Sequence, residues 1–404
     1  MAEKKQKSKE QQKRDIAKLA AAGAAAGYAA SKIARGGKRS KKAKRRGAIV
    51  GFLMAIIIIA VGAMYYFDIK PLDKDFFDGK FKSWYISSDD FVQSDGNLQI
   101  VFLDVGQGDS ILVRLPDGKN MLIDAGDKRS DNENYILERL EEMGIDTIDY
   151  GILTHTDADH VGGMDAIVES DITFKEMYMP LVKSDLPNDP VEDWYADAKA
   201  TYLSEIAKNE PAGFENQIQT IDTAAYREFV TALLAEEGCK TKFSFGGLQI
   251  KTNEYVIDFY NPTYNEYTKI NSAADKNNVS PIMILKFNDK KIMFTGDCDS
   301  AEINLIETAV MQNRDDFDVD ILKVAHHGGK ESTSEEFLSI VKPEYSVISV
   351  GEGNTYGHPT SEVLGRLEEI DSKVFTTMEK GDIILTIIGS TIGWDFKARE
   401  RVAA

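Results

Sequence analysis

Five histidines occur in a chain of 404 residues, and all of them stand in three short segments. The first, Thr154-His155-Thr156-Asp157-Ala158-Asp159-His160-Val161-Gly162-Gly163, sets four metal-ligating side chains, His155, Asp157, Asp159 and His160, within six residues. His326-His327-Gly328-Gly329 and Gly357-His358-Pro359 hold the rest, and Gly296-Asp297 has the same kind of setting. Imidazole nitrogen and carboxylate oxygen are ligands for first-row divalent ions, and their alternation along a tight loop turns successive side chains towards two neighbouring ions. The paired Gly162-Gly163 permit a close backbone approach beneath such ions. A lone histidine is more often structural than ligating. Five of them gathered in loops, with carboxylates interleaved, point instead to a metal site.

Each of these loops follows a stretch that reads as a strand. Leu98–Asp104, Ser110–Leu115 and Lys119–Asp124 form a meander with a turn at Pro116-Asp117-Gly118. Ile136, Leu137, Leu140 and Met143 recur at helical spacing in Asn132–Met143, Gly144 ends that helix, and the strand Tyr150–Thr154 leads into the first ligand loop. Ile282–Phe287 and Lys291–Thr295 make a hairpin about Asn288-Asp289 and lead to Asp297. Val319–Ala325 and Tyr345–Val350, with the helix Ser334–Val341 between them, lead to the remaining histidines. Residues 171–250 are less regular, helical around Glu192–Lys208 and Ala224–Glu237, and read as an insertion or an irregular half-repeat. Asp104-Val-Gly-Gln-Gly-Asp109 joins two strands without a following Lys-Ser/Thr, so a tight turn is expected there and not a phosphate cradle. Asp124 reads as a structural acceptor beneath the site, and Cys298 as a small buried thiol. The aromatic group around Phe259, Tyr260 and Tyr264 fits either a substrate wall or simple packing.

Charge divides the chain. The total is −18, yet residues 1–47 hold 16 Lys/Arg against three acids, so the remainder carries −31. Ala48 to Phe67 runs twenty residues without a charge, enough to span about 30 Å as a helix. The polybasic flank before it places residues 1–47 in the cytoplasm by the positive-inside rule, and a cleaved signal peptide fits less well because the basic region is long and no small-x-small site closes the run. The tail is expected to lie on anionic lipid, residues 68–96 to be a connector, and residues 97–400 to form one extracytoplasmic domain. Two cysteines exclude a disulfide scaffold and a four-cysteine zinc module.

The motif His155-x-Asp157-x-Asp159-His160-x-Gly162-Gly163 resembles the metallo-β-lactamase signature, with Asp157 where histidine is usual. Phe102-Leu-Asp-Val-Gly-Gln-Gly-Asp-Ser110, Ile123-Asp-Ala-Gly126, Thr295-Gly-Asp297 and Lys323-Val-Ala-His-His-Gly328, in that order, are similar to the C-terminal hydrolase domain of ComEC-type competence proteins. The large membrane channel of those proteins has no counterpart here. The resemblance implies an α/β fold, a four-layer αββα sandwich, with two divalent ions, zinc or manganese, at one sheet edge. His155 and Asp157 would hold one ion and Asp159 and His160 the other. Asp297 would bridge them, His358 would be the last ligand, and His326 or His327 would be a proton donor, with either able to be a ligand instead. Where the family has a further histidine ligand, this chain has Asn277-Asn278-Val279-Ser280, making Asn278 and Ser280 candidates to touch metal or substrate.

A water shared by two cations becomes hydroxide near neutral pH, Asp159 would orient it, and an imidazole opposite would serve a poor alkoxide leaving group. That chemistry suits a phosphodiesterase or nuclease-like enzyme. The alternatives are a lactonase or β-lactamase-like acyl hydrolase, and a non-catalytic metal-binding interaction module. A domain at −31 lacks the Lys/Arg density of broad nucleic-acid binders, so a strand would be recruited through a local basic rim or the metals.

Overall fold

The computed structural model describes residues 96–205, 218–220, 223–268, 274–299 and 317–399. The basic tail, the apolar run Ala48–Phe67 and the connector up to residue 95 lie outside them. Among the described residues no helix is long and apolar enough to cross a membrane.

The domain begins with antiparallel strands β1 (Leu98–Phe102), β2 (Ile111–Arg114) and β3 (Asn120–Ile123), then helix α1 (Ser130–Glu142). Strand β4 (Thr147–Ile148) precedes β5 (Tyr150–Ile152), and the short helices α2 (Ala158–Val161) and α3 (Met164–Val168) lead to β6 (Thr173–Phe174) and β7 (Glu176–Met179). Helices α4 (Pro190–Glu205) and α5 (Ala224–Ala235) return to β8 (Lys240–Phe243). The second half holds β9 (Gln249–Lys251), β10 (Tyr255–Phe259), α6 (Tyr264–Thr268), β11 (Met283–Phe287), β12 (Lys290–Phe294), β13 (Ile321–Lys323), α7 (Glu335–Val341), β14 (Tyr345–Ile348), α8 (Ser361–Glu369), β15 (Lys373–Thr376) and α9 (Thr377–Lys380). Strands β16 (Asp382–Ile388) and β17 (Thr391–Lys397) then rejoin the first sheet.

Two mixed sheets result, ordered β17-β16-β1-β2-β3-β5-β7-β8 and β15-β14-β13-β12-β11-β10-β9, with β4 and β6 paired as a separate ribbon. The residue pattern dictates why these sheets stack. In β1, Leu98, Ile100 and Phe102 point into a core shared with Met283, Leu285 and Phe287 of β11, because side chains alternate across a strand. Val101 of β1 points the other way, onto Ile136 and Leu140 of α1 and Phe229 of α5. Ile284 of β11 likewise faces Phe337 of α7 and Leu367 of α8. Strands apolar on both faces need cover on both, and the outcome is the αββα layering. Ser334 and Thr360 cap α7 and α8, their hydroxyls accepting from the Phe337 and Val363 amides.

Residues 171–250 correct the reading of an insertion. β7 pairs in parallel with β5, and β8 with β7, so this stretch completes the first sheet, while α4 and α5 cover its outer face. The signal was weak for a physical reason: β8 is an edge strand whose Lys240-Thr-Lys-Phe sequence trades apolar alternation for charge. Elsewhere the predicted strands differ from the observed ones by one or two terminal residues, because their last residues turn into the loops of the site.

Candidate metal centre

The loops that gather the chemistry leave the carboxyl ends of parallel neighbours: β3 beside β5, and β12 beside β13 beside β14. After β3 the chain turns at Asp124 with φ of 55°, a left-handed conformation unusual outside glycine, and this aims the carboxylate at the neighbouring loop. Asp124 is fully buried there. It accepts from the Thr154 amide at 2.8 Å and from the Thr154 hydroxyl at 2.6 Å, and His160 Nδ1 lies 2.8 Å from its Oδ2. An ionised carboxylate only accepts, so His160 donates from Nδ1 and presents the Nε2 lone pair to the site.

The first ligand loop is clamped from below. The Asp109 amide donates to the Asp159 carbonyl at 3.2 Å, and a Cβ on Gly108 would lie 2.2 Å from that same oxygen. The Asp104–Asp109 turn is therefore a floor that only glycine lets fit. A Cβ on Gly162 would strike the Ala158 carbonyl and the Lys128 amide at 2.3 Å, which bears out the close approach expected of the glycine pair.

Above this floor, ligand atoms of Asp159, His160, Asp297 and His327 all lie within 4.8 Å of one another. His160 Nε2 is 3.1 Å and His327 Nε2 3.3 Å from Asp297 Oδ2, and the two Nε2 atoms are 3.3 Å apart. His327 Nε2 is also 3.4 Å from Asp159 Oδ2, while its Nδ1 donates to the Ser349 carbonyl at 2.8 Å. Both imidazoles thus turn their free nitrogens inward, the arrangement of metal-ligating histidines with an outer partner on the far nitrogen. Among the described residues, Asp297 Oδ1 and His155 Nε2 are buried without a hydrogen-bond partner. A buried polar atom without a partner is costly, so Asp297, with both imidazoles turned towards it, fits a divalent cation well.

The other predicted residues surround this cluster. His155 Nε2 is 3.7 Å from Asp157 Oδ2, and the second oxygen of Asp157 is paired with Lys276. Ser280 Oγ lies 3.4 Å from His155 Nδ1 and accepts from the Asp297 amide at 3.2 Å, while Asn278 Oδ1 accepts from the Asp299 amide at 3.0 Å. Both residues position the Asp297 loop. His326 and His327 sit at left-handed φ of 48° and 53°, which splays the adjacent rings apart. His326 Nδ1 reaches Asp299 at 3.1 Å and its Nε2 stands 3.9 Å from Asp297. His358 has its ring 5.5 Å from that of His326 and 6.5 Å from that of His327. Its Nδ1 is buried without a hydrogen-bond partner among the described residues. Cys298 is fully buried, as expected, and Tyr260 packs edge-on against Phe317 at 5.0 Å.

Electrostatics follow the geometry. Burial disfavours the charge on His327, but Asp297 and Asp159 more than offset it and raise its pKa to about 10. His160 is likewise raised well above an ordinary imidazole by Asp297 and Asp124 against its burial. Burial pushes Asp297 and Asp159 up, yet the facing imidazoles hold both well below the usual carboxylate range. Burial and the neighbouring His326 and His327 lower His358.

Sequence reasoning named the ligand candidates and missed their supports. Lys276, Asp299 and the buried pair of Lys323 Nζ with Asp109 Oδ2, 2.9 Å apart, carry no local motif. Only the protein's three-dimensional pairing reveals them.

Residues 103–237 match the metallo-beta-lactamase superfamily. ComE operon protein 3 of Bacillus subtilis is 26% identical over 307 residues, covering 72% of this chain and 33% of that protein. Recombination protein 2 of Haemophilus influenzae is 27% identical over 288 residues, covering 70% and 28% respectively. The chain thus spans about a third of the length of the curated relatives it matches. Among solved structures, CmlA, a diiron β-hydroxylase from Streptomyces venezuelae, aligns at 10% identity over 73% of this chain and 55% of its own, with a TM-score of 0.42. Motif order, layered topology and the ligand cluster converge on one conclusion: the chain carries a metallo-β-lactamase superfamily domain and is similar to part of the ComEC-type competence proteins.

Proposed function

We propose that the protein is a membrane-anchored, metal-dependent hydrolase of phosphodiesters. The observation that carries this reading is the four-residue cluster of Asp159, His160, Asp297 and His327 with a third imidazole, His326, poised beside it. These four residues would hold a divalent ion, zinc or manganese, which when bound would supply Lewis acidity towards a phosphoryl oxygen and a lowered pKa for water. Asp159 orients the attacking water from the rim of the cluster. His326 protonates the departing alkoxide: Nδ1 donates to Asp299, Nε2 stands 3.9 Å from Asp297 at the edge of the cluster, and Asp299 and Asp297 outweigh burial to keep the ring's pKa raised. His327 is then a ligand and His326 the acid. His358 lines the same side as an uncharged ring.

Ala48–Phe67 anchors the domain, with the basic tail on anionic lipid in the cytoplasm and the hydrolase outside; the uncharged run and its basic flank support this. Relatives named for competence and recombination favour a nucleic-acid strand among phosphodiesters, recruited locally because the domain as a whole is acidic.

The test uses the full-length chain with manganese or zinc and bis-p-nitrophenyl phosphate, comparing wild type with Asp297→Ala. Metal-dependent turnover that disappears in the variant is expected. Ester hydrolysis without phosphodiester hydrolysis would transfer the site to acyl chemistry, and bound metal with no turnover would make the domain a binding module.

A further inference from the structure

The two halves of the ligand set are unlike each other. Asp159, His160, Asp297 and His327 converge, whereas His155 and Asp157 stand beside them and do not join the same cluster. Asp157 is engaged elsewhere. One of its oxygens is paired with the Lys276 ammonium, and the other is 3.7 Å from His155 Nε2.

Lys276 is held in that place by structure. It belongs to the 3-10 turn Ala274–Val279, whose end is fastened to the site by Asn278 Oδ1 accepting from the Asp299 amide and by Ser280 Oγ accepting from the Asp297 amide. Asn261 Nδ2 secures the turn from beneath, donating to the Asn278 and Ser280 carbonyls at 2.7 Å each. The same loop system therefore positions the Lys276 cation and the Asp297 ligand. The Lys276 side chain is 22% exposed, and its ammonium is paired with a carboxylate that is itself 26% exposed.

A divalent ion seated on His155 and Asp157 would have to share a carboxylate with that ammonium. Like charges at contact distance repel, most strongly where water is sparse, so the lysine and the second ion exclude each other. An ammonium is a compact point charge with three donors, able to keep Asp157 and still meet a phosphoryl oxygen.

We propose that the site works with a single divalent ion, on Asp159, His160, Asp297 and His327, and that the Lys276 ammonium takes the place of a second ion beside Asp157, where it meets a non-bridging oxygen of the phosphodiester. The proposal rests on the metal-hydrolase reading above and departs from the two ions that the sequence suggests.

Metal content decides it without any turnover measurement. The full-length chain is saturated with Mn2+, freed of excess, and examined by elemental analysis and electron paramagnetic resonance. Wild type and Lys276→Arg are expected to hold one Mn2+ per chain with the six-line spectrum of an isolated ion. Lys276→Ala is expected to rise to two per chain, with the multiline spectrum of an exchange-coupled pair, and Asp297→Ala to lose the ion. Two coupled ions in wild type would overturn the proposal and leave the metal-hydrolase reading standing. A single ion that stays single in Lys276→Ala would remove Lys276 from the role. No ion in wild type would overturn both readings together.

Discussion

Replacing Asp124 by Asn asks whether the protein pre-sets His160 for a cation. The wild-type carboxylate can only accept, so with His160 Nδ1 2.8 Å from Asp124 Oδ2 the imidazole proton must sit on Nδ1. In Asp124→Asn the side-chain oxygen can still accept from the Thr154 amide, but an NH2 group now faces His160 Nδ1. That nitrogen is driven to accept, and the proton moves to Nε2, the atom 3.1 Å from Asp297 where an ion needs a lone pair. Loss of an outer-shell partner of this kind costs about 10–100-fold in metal affinity, or about 1.4–2.8 kcal/mol at ~1.4 kcal/mol per decade. Metal-free stability should move by only about 1 kcal/mol, because no buried group loses its partner. Asp124→Ala behaves differently: the Thr154 amide and His160 Nδ1 would be left unpaired in a fully buried place, at about 1–3 kcal/mol each. Competition against a fluorescent chelator gives the affinities, and thermal melts of the metal-free proteins give the stabilities. Unchanged affinity in Asp124→Asn, with a melt depressed as deeply as in Asp124→Ala, would show that Asp124 merely pins the loop and would refute the tautomer argument.

Metal uptake should release protons. With His327 raised to about 10, its imidazole is protonated in the metal-free protein at pH 7, so an ion binds there only by displacing that proton. Affinity measured by calorimetry in buffers of different ionisation enthalpy should therefore strengthen as pH rises towards 10. The stability of the metal-free fold should run the opposite way: the contribution of a raised histidine is complete below about pH 6.5 and is lost as pH climbs through about 10. Affinity that is flat from pH 6 to 9 would remove the proton competition. In the pair beneath the floor, Lys323→Met would strand the buried Asp109 carboxylate and should cost about 3–5 kcal/mol in urea unfolding, with much of it recovered in Lys323→Met/Asp109→Asn. A double variant no more stable than the single one would mean that Lys323 acts through packing instead.

What the sequence made legible was whatever is local along the chain. His155, Asp157, Asp159 and His160 share six residues, and the apolar stretches before each loop alternate strongly enough to read as strands, so these candidate ligands and the strands that end beneath them could both be named. Asp124 was readable as an acceptor because Ile123-Asp-Ala-Gly126 closes a strand, although its partner His160 lies 36 residues away. The pairings of Lys276 with Asp157 and of Lys323 with Asp109 could not be read, since each joins segments that only the stacking of two sheets brings together, and that of His326 with Asp299 needs β12 and β13 side by side. His326 and His327 show the limit most sharply. Adjacent in sequence and identical in type, they had no basis for separate roles. Backbone φ values near 50° at both positions send one imidazole into the cluster, with its far nitrogen on the Ser349 carbonyl, and leave the other on Asp299 at the rim. Ligand and acid are told apart by what each far nitrogen touches, and those contacts are set by strands β14 and β12, not by the dipeptide itself.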